Sequence, residues 1–291
     1  MRRVTVAAVQ MRCTANRLHN IDTAERLVRD AAQKGANVVL LPELFENLYF
    51  CQEKRYEYYD LAEKIEDNLA IQRFLPVTAE LGIVLFVSVY ERSGNVTFNS
   101  CAVLDSGKLL GVYRKTHIPD DHYYQEKFYF TPGDTGFTVW NTTYGKMGVG
   151  ICWDQWFPET ARCLALGGAE LLFYPTAIGS EPILHCDSMP HWRRVMQGHS
   201  AANLMPVIAA NRFGEERVTP CAENGGQNSS LLFYGSSFMT DETGEILQSA
   251  SRTEECVLLH TYDLDAIDKN RLSWGLFRDR RPKEYTLITE K

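Results

Sequence analysis

Three reactive side chains each follow a short apolar run: Glu43 comes after 38–41 and Pro42, Lys115 after 109–114, and Cys152 after 147–151. In layered α/β folds, side chains just past a strand end project into the crevice where ligands bind. A carboxylate, an ammonium and a thiol supply a base, a cation and a nucleophile, the set needed for acyl transfer through a covalent thioester. Cys152 lies in Gly148-Val149-Gly150-Ile151-Cys152-Trp153-Asp154. Glycine before the thiol and a predicted helix after it make a sharp strand-to-helix turn, like the nucleophile elbow of serine hydrolases. There, backbone N–H groups face the sulfur and the helix N-terminus favours an anion. A nearby lysine is expected to lower the thiol pKa further. Taken singly, Cys152 also reads as a buried inert thiol, Glu43 as an exposed loop carboxylate and Lys115 as a solvated charge. Their shared placement favours chemistry.

Histidine is the usual base for a cysteine nucleophile, so the seven histidines need weighing. His185, His191 and His199 fit no H-E-x-x-H pattern, and His191 and His199, on one predicted helix, read as structural. His117 and His122 flank the long segment 115–136, and His122 is a candidate for substrate contact. The eight cysteines (13, 51, 101, 152, 163, 186, 221 and 256) are widely and irregularly spaced with no CxxC, which excludes a zinc pattern or a small disulfide scaffold. No metal and no organic cofactor is expected.

The rest of the chain must position these groups. It has 291 residues and a net charge of −7, with 45% hydrophobic and 23% charged residues, which excludes disordered and fibrous classes. A mildly acidic chain is a poor partner for nucleic acid, and no apolar run approaches the roughly 20 residues of a membrane span. The start is read as a first strand rather than a secretory segment, so reduced thiols and a cytoplasmic location are expected. Strands are predicted at 4–9, 38–41, 83–89, 96–104, 109–113, 147–151, 171–174, 207–210, 231–239 and 257–262. Helices are predicted at 18–31, 70–81, 158–166, 191–204 and 264–272. Pro76 should kink or break the second helix. Asp105-Ser106-Gly107 and Tyr144-Gly145-Lys146 read as hairpin turns. No low-complexity linker interrupts the alternation, so 1–291 is read as one layered α/β domain, with 274–291 an extended tail.

The blocks Leu41-Pro42-Glu43, Tyr113-Arg114-Lys115-Thr116-His117-Ile118-Pro119 and Gly150-Ile151-Cys152-Trp153-Asp154 resemble, in order and spacing, the three signature segments of the nitrilase (carbon–nitrogen hydrolase) superfamily. The resemblance covers essentially the whole chain. It implies a four-layer αββα sandwich and a Glu-Lys-Cys triad carried over as Glu43, Lys115 and Cys152. In amidase branches the glutamate corresponding to Glu126 is a second active-site acid that positions the lysine and substrate. The implied reaction is hydrolysis of a non-peptide C–N bond, with the oxyanion held by Lys115 and the Trp153 backbone N–H.

Segments 117–120, 176–182, 209–212 and 274–282 are most similar to the branch acting on N-carbamoyl amines. The chain departs from it at Asp121-His122, where a glycine-containing version is usual. An amine tail needs a carboxylate or an aromatic face. Glu181 is the first candidate, with Tyr49 and Asp121 after it. A carbamoyl amino acid would instead need an arginine, for which Arg212 is available. A non-catalytic assembly module and a zinc hydrolase are the readings from other classes. The family also implies that the aromatic tail packs across a homo-oligomer of at least two chains.

Overall fold

Residue alternation sets the layers. The computed structural model describes residues 1–181 and 185–290. Its first half contains β1 (Arg3–Gln10), α1 (Arg17–Gln33), β2 (Val38–Leu40), α2 (Leu69–Leu81), β3 (Val84–Ser93), β4 (Val96–Asp105) and β5 (Lys108–Arg114). There follow β6 (Val139–Thr142), β7 (Gly145–Val149), α3 (Pro158–Leu166), β8 (Leu171–Thr176), α4 (Met189–Asn203) and β9 (Val207–Asn211). The chain continues with β10 (Phe213–Arg217), β11 (Ser230–Tyr234), β12 (Phe238–Thr240), β13 (Ile246–Ser249), β14 (Cys256–Asp263) and α5 (Leu264–Trp274).

Two six-stranded sheets run in the orders β14-β1-β2-β3-β4-β5 and β13-β12-β9-β8-β7-β6. In each, three central strands are parallel and the outer ones antiparallel. Strand period two sends alternate side chains to opposite faces. Val4, Val6 and Ala8 therefore join Val149, Phe173 and Ile208 between the sheets, while Ala7 and Val9 pack against Ile21, Leu27 and Phe74 of the outer helices. Leu172, Tyr174 and Val207 face Leu164, Trp192 and Met196 on the far side. Phe86 and Phe173 stack across the midplane at 4.4 Å. Helix, sheet, sheet, helix is the αββα sandwich.

Three expectations need correction, and one strand was not anticipated. Helix α2 runs through Pro76, because its neighbours Phe74 and Val77 are buried in the core and hold the turn. The stretch 231–239 is two strands in different sheets, since Gly235 (φ 51°) and Ser236 (φ 60°) turn the chain between them. Strand β10, polar and short, pairs with β11 apart from both large sheets. The tail is not simply extended: 3₁₀ turns form at Pro282–Glu284 and Thr286–Thr289. Lys291, like Pro182 of the 176–182 segment, lies outside the described residues.

Candidate active site

The ends of β2, β5 and β7 meet at one rim of the sandwich. Glu43 follows β2 by a tight turn in which Leu44 adopts φ 47°. The Glu43 N–H donates to the Thr176 carbonyl at the end of β8, 3.3 Å, so the turn is tied to the second sheet. Lys115 leaves β5 with its N–H on the Asn99 carbonyl at 2.8 Å. Gly133 closes over it, where an added Cβ would lie 2.0 Å from the Arg114 carbonyl oxygen, so only glycine fits. Cys152 opens a 3₁₀ turn, Cys152–Trp156, with φ 41°, a left-handed conformation that costs an ordinary side chain energy and recurs at functional turns.

Asp154 holds that turn. Its Oδ2 accepts from the Ile151 N–H (2.9 Å) and the Tyr113 hydroxyl (2.7 Å), and its Oδ1 from the His117 N–H (2.9 Å). The His117 ring lies 2.7 Å from the same oxygen and stacks on Phe157 at 3.7 Å, which makes it a structural histidine. His199 is structural too, with Nε2 2.7 Å from the Gln155 carbonyl oxygen.

Glu43, Lys115 and Glu126 are all essentially buried. The Lys115 Nζ donates to Glu43 Oε1 at 2.9 Å and to Glu126 Oε2 at 2.6 Å. Asn99 Nδ2 donates to Glu43 Oε1 at 2.7 Å, and the Tyr49 hydroxyl donates to Glu126 Oε1 at 2.7 Å. Glu43 Oε2 is left buried without a partner, a free acceptor inside the cluster. Burial alone would lower the lysine pKa, but Glu126 and Glu43 more than offset it and hold the ammonium well above its usual value. Burial raises the Glu126 carboxyl.

The thiol departs from expectation. Cys152 is pushed well above the usual thiol range by burial and then by Glu43, against which Lys115 pulls only partly. Burial disfavours the thiolate, and the resting sulfur is a thiol that donates to the Ala177 carbonyl oxygen at 3.9 Å. The group needs a base, not merely a neighbouring cation.

A cleft of about 390 Å³ opens over the thiol, lined by Glu126, Cys152, Trp153, Tyr124, Asp121 and Glu181 among others. Trp153 packs edge-on to Trp156 (6.2 Å), whose ring is 4.9 Å from His191, so His191 belongs to the cleft wall rather than to the structural set. Tyr124 accepts from the Gly179 N–H and donates to the Ser180 carbonyl, both at 3.1 Å, which fixes the loop that carries Glu181. Burial, then Asp121, raises the Glu181 carboxyl.

Three candidates fall elsewhere. Tyr49 is 1% exposed behind Glu126, so it positions that carboxylate and does not line the cleft. His122 points outward, 70% exposed, paired with Asp121 at 3.1 Å. Arg212 is fully buried on Glu216 and on loop carbonyls, so no anionic ligand reaches it. Asn99, Asp154 and Tyr124 were not singled out in the sequence. A polar Asn99-Ser100 pair inside an otherwise apolar strand was the one available signal.

A family model described as "Carbon-nitrogen hydrolase" matches residues 5–271. An N-carbamoylputrescine amidase of Oryza sativa is 52% identical, covering 98% of this chain and 94% of that protein. A citrullinase of Francisella tularensis is 47% identical over the full length of both. The crystal structure of a carbon-nitrogen hydrolase from Helicobacter pylori superposes with a TM-score of 0.90 at 36% identity, covering 99% of each chain.

Proposed function

The chain belongs to the carbon–nitrogen hydrolase family and is a hydrolase of non-peptide C–N bonds, and we propose that its substrate is N-carbamoylputrescine, converted with water to putrescine, carbon dioxide and ammonia. The observation that carries this reading is the charge of the cleft's outer wall. Asp120, Asp121 and Glu181 line it, and no arginine or lysine does among the described residues. A terminal ammonium is complementary to that wall. The carboxylate of citrulline or of N-carbamoyl-β-alanine would find no cation, Arg212 being sealed in the core. Relatives at 50% identity or more named for the putrescine reaction support it.

A urea-type carbonyl is a poor electrophile, because nitrogen lone pairs delocalise into it. Glu43, through its free Oε2, takes the thiol proton as sulfur attacks the carbamoyl carbon. The Lys115 ammonium and the Trp153 N–H receive the developing oxyanion. Helix first turns leave such N–H groups without internal partners, and each preorganised donor contributes about 3 kcal/mol. Glu43 returns its proton to departing ammonia, then deprotonates the water that cleaves the thioester. The carbamate released decomposes to carbon dioxide and amine. Glu126 keeps the ammonium fixed between the two carboxylates.

The same reading takes residues 1–291 as one domain, β14 from the end of the chain pairing with β1 from its start. It includes a cytoplasmic location, consistent with eight free thiols. It also includes a homo-oligomer of at least two chains, for which Leu272, Trp274, Leu287 and Ile288, all more than 60% exposed, supply apolar surface. Ammonia release tests the substrate: N-carbamoylputrescine should exceed citrulline and N-carbamoyl-β-alanine in kcat/KM, with a carbamoyl adduct at Cys152 by mass. Preference for either carboxylate-ended compound would overturn the assignment. Light scattering giving a monomer at micromolar concentration would overturn the oligomer.

A further inference from the structure

Behind the cleft, a buried ion pair closes a ring of hydrogen bonds around the two active-site carboxylates. In front, the ring runs from Glu43 through Lys115 to Glu126 (2.9 and 2.6 Å) and on to the Tyr49 hydroxyl (2.7 Å). At the back, the Tyr49 backbone N–H donates to Glu216 Oε2 at 2.6 Å, and Glu216 Oε1 accepts from Arg212 Nη1 at 2.9 Å. Arg212 Nη2 then donates to the carbonyls of Glu43 (2.7 Å) and Leu44 (2.8 Å), and Nη1 to that of Asn47 (3.1 Å). Arg212 is 0% and Glu216 3% exposed.

We propose that Arg212 and Glu216 are positioning residues for the reaction, aiming Glu43 at the thiol and Glu126 at Lys115 from the rear. An apolar pair of similar volume would fill this space without the desolvation cost of two buried charges. What it could not do is hold the turn carbonyls of Glu43, Leu44 and Asn47 at fixed points. The turn needs that hold, because Leu44 is left-handed and the Glu43 carboxylate has one oxygen anchored on Lys115 and Asn99 and one free. The guanidinium fixes the backbone from which that free oxygen projects. Glu216 fixes the guanidinium and, through Tyr49, the other carboxylate. Misplacing a reacting group by about 1 Å costs on the order of 10²-fold in rate.

The inference rests on Glu43 acting as the base, so its test includes a reaction that needs no carbamoyl substrate. Glu216→Gln keeps the volume but turns one of two acceptors into a donor, so it cannot serve both Tyr49 and Arg212. Arg212→Lys keeps the charge and loses the fork. Asp105→Asn removes a different buried carboxylate, bonded to Thr143 at 2.7 Å at the hairpin end of β4, and serves as the control. Each full-length variant is compared per folded molecule for ammonia release and for iodoacetamide alkylation at the Cys152 peptide across pH. Glu216→Gln and Arg212→Lys should lower kcat by about 10- to 100-fold, leave KM within about threefold, and slow alkylation in parallel, while Asp105→Asn changes neither rate. If Arg212→Lys does not fold, Glu216→Gln alone decides. A folded Glu216→Gln with kcat and alkylation within twofold of wild type, or a rise in KM at constant kcat, would overturn the proposal. Failure of wild type to hydrolyse N-carbamoylputrescine would instead sink the substrate reading, leaving alkylation to judge the positioning.

Discussion

Replacing Glu181 by glutamine should separate recognition of the tail from the chemistry at the carbamoyl group. Glu181 is half-buried on the cleft wall, and its carboxyl is raised by burial and by Asp121. An ammonium about 5 Å away at an effective dielectric near 20 would be attracted by about 3 kcal/mol. Glutamine retains a hydrogen bond and desolvation offsets part of the attraction, so the net loss is about 2 kcal/mol, or roughly 30-fold. The assay is a cycle of two enzymes and two substrates: wild type and Glu181→Gln, on N-carbamoylputrescine and on N-butylurea, which carries the carbamoyl group without the ammonium. kcat/KM should fall roughly 30-fold for the first and stay within twofold for the second. The sign of the pH effect follows: acidification through the raised carboxyl pKa neutralises Glu181, so wild-type preference for the cationic substrate declines as pH falls while that of the variant is flat. Equal losses on both ureas, or none on either, would refute the assignment.

Gly150→Ala should destabilise the protein by about 1–3 kcal/mol, because the new Cβ would sit 2.8 Å from Tyr174 Cε1 and 3.0 Å from Thr160 Cγ2, both buried. Thermal melting measures this, and an unchanged Tm would show that the elbow tolerates a side chain. Tyr49→Phe removes a hydrogen bond to a buried carboxylate, typically about 1.5–3 kcal/mol. Steady-state ammonia release should show kcat down about tenfold and KM nearly constant. His199 is depressed below 6.5 by burial, so the unfolded chain binds the extra proton first. Stability from this group is complete above the unfolded pKa and declines as pH falls below it. Tm should therefore fall more steeply between about pH 7.5 and 5.5 in wild type than in His199→Gln.

Much of the site was legible because its chemistry sits at strand ends. Apolar runs fixed where β2, β5 and β7 stop, so Glu43, Lys115 and Cys152 could be read off as residues that follow them, and the glycines around Cys152 marked the turn. Helix α1 declared itself by its period and the Gly35 stop, and α3 by Pro158 at its start. The Pro76 error shows the limit of local propensity: burial of one helix face outweighed a missing N–H. The splitting of 231–239 shows another, since left-handed φ at Ser236 has no local signature.

Residue types and order along the chain were enough to say that a thiol, a carboxylate and an ammonium occupy equivalent positions in a layered fold, because that depends only on short-range periodicity. Which charges end up within 3 Å of one another was decided by the strand order of the first sheet, which sets residues 43, 99 and 115 side by side, and by the loop after β5 that folds Glu126 back onto them. Burial of the thiol, and then the approach of Glu43, reversed the expected direction of the Cys152 pKa. Tertiary packing sent Tyr49 and Arg212 to the back of the site and His191 to the cleft wall. Electrostatics in a buried cluster depends on three-dimensional separations and on exclusion of water, and neither is encoded in the spacing of residues along a strand.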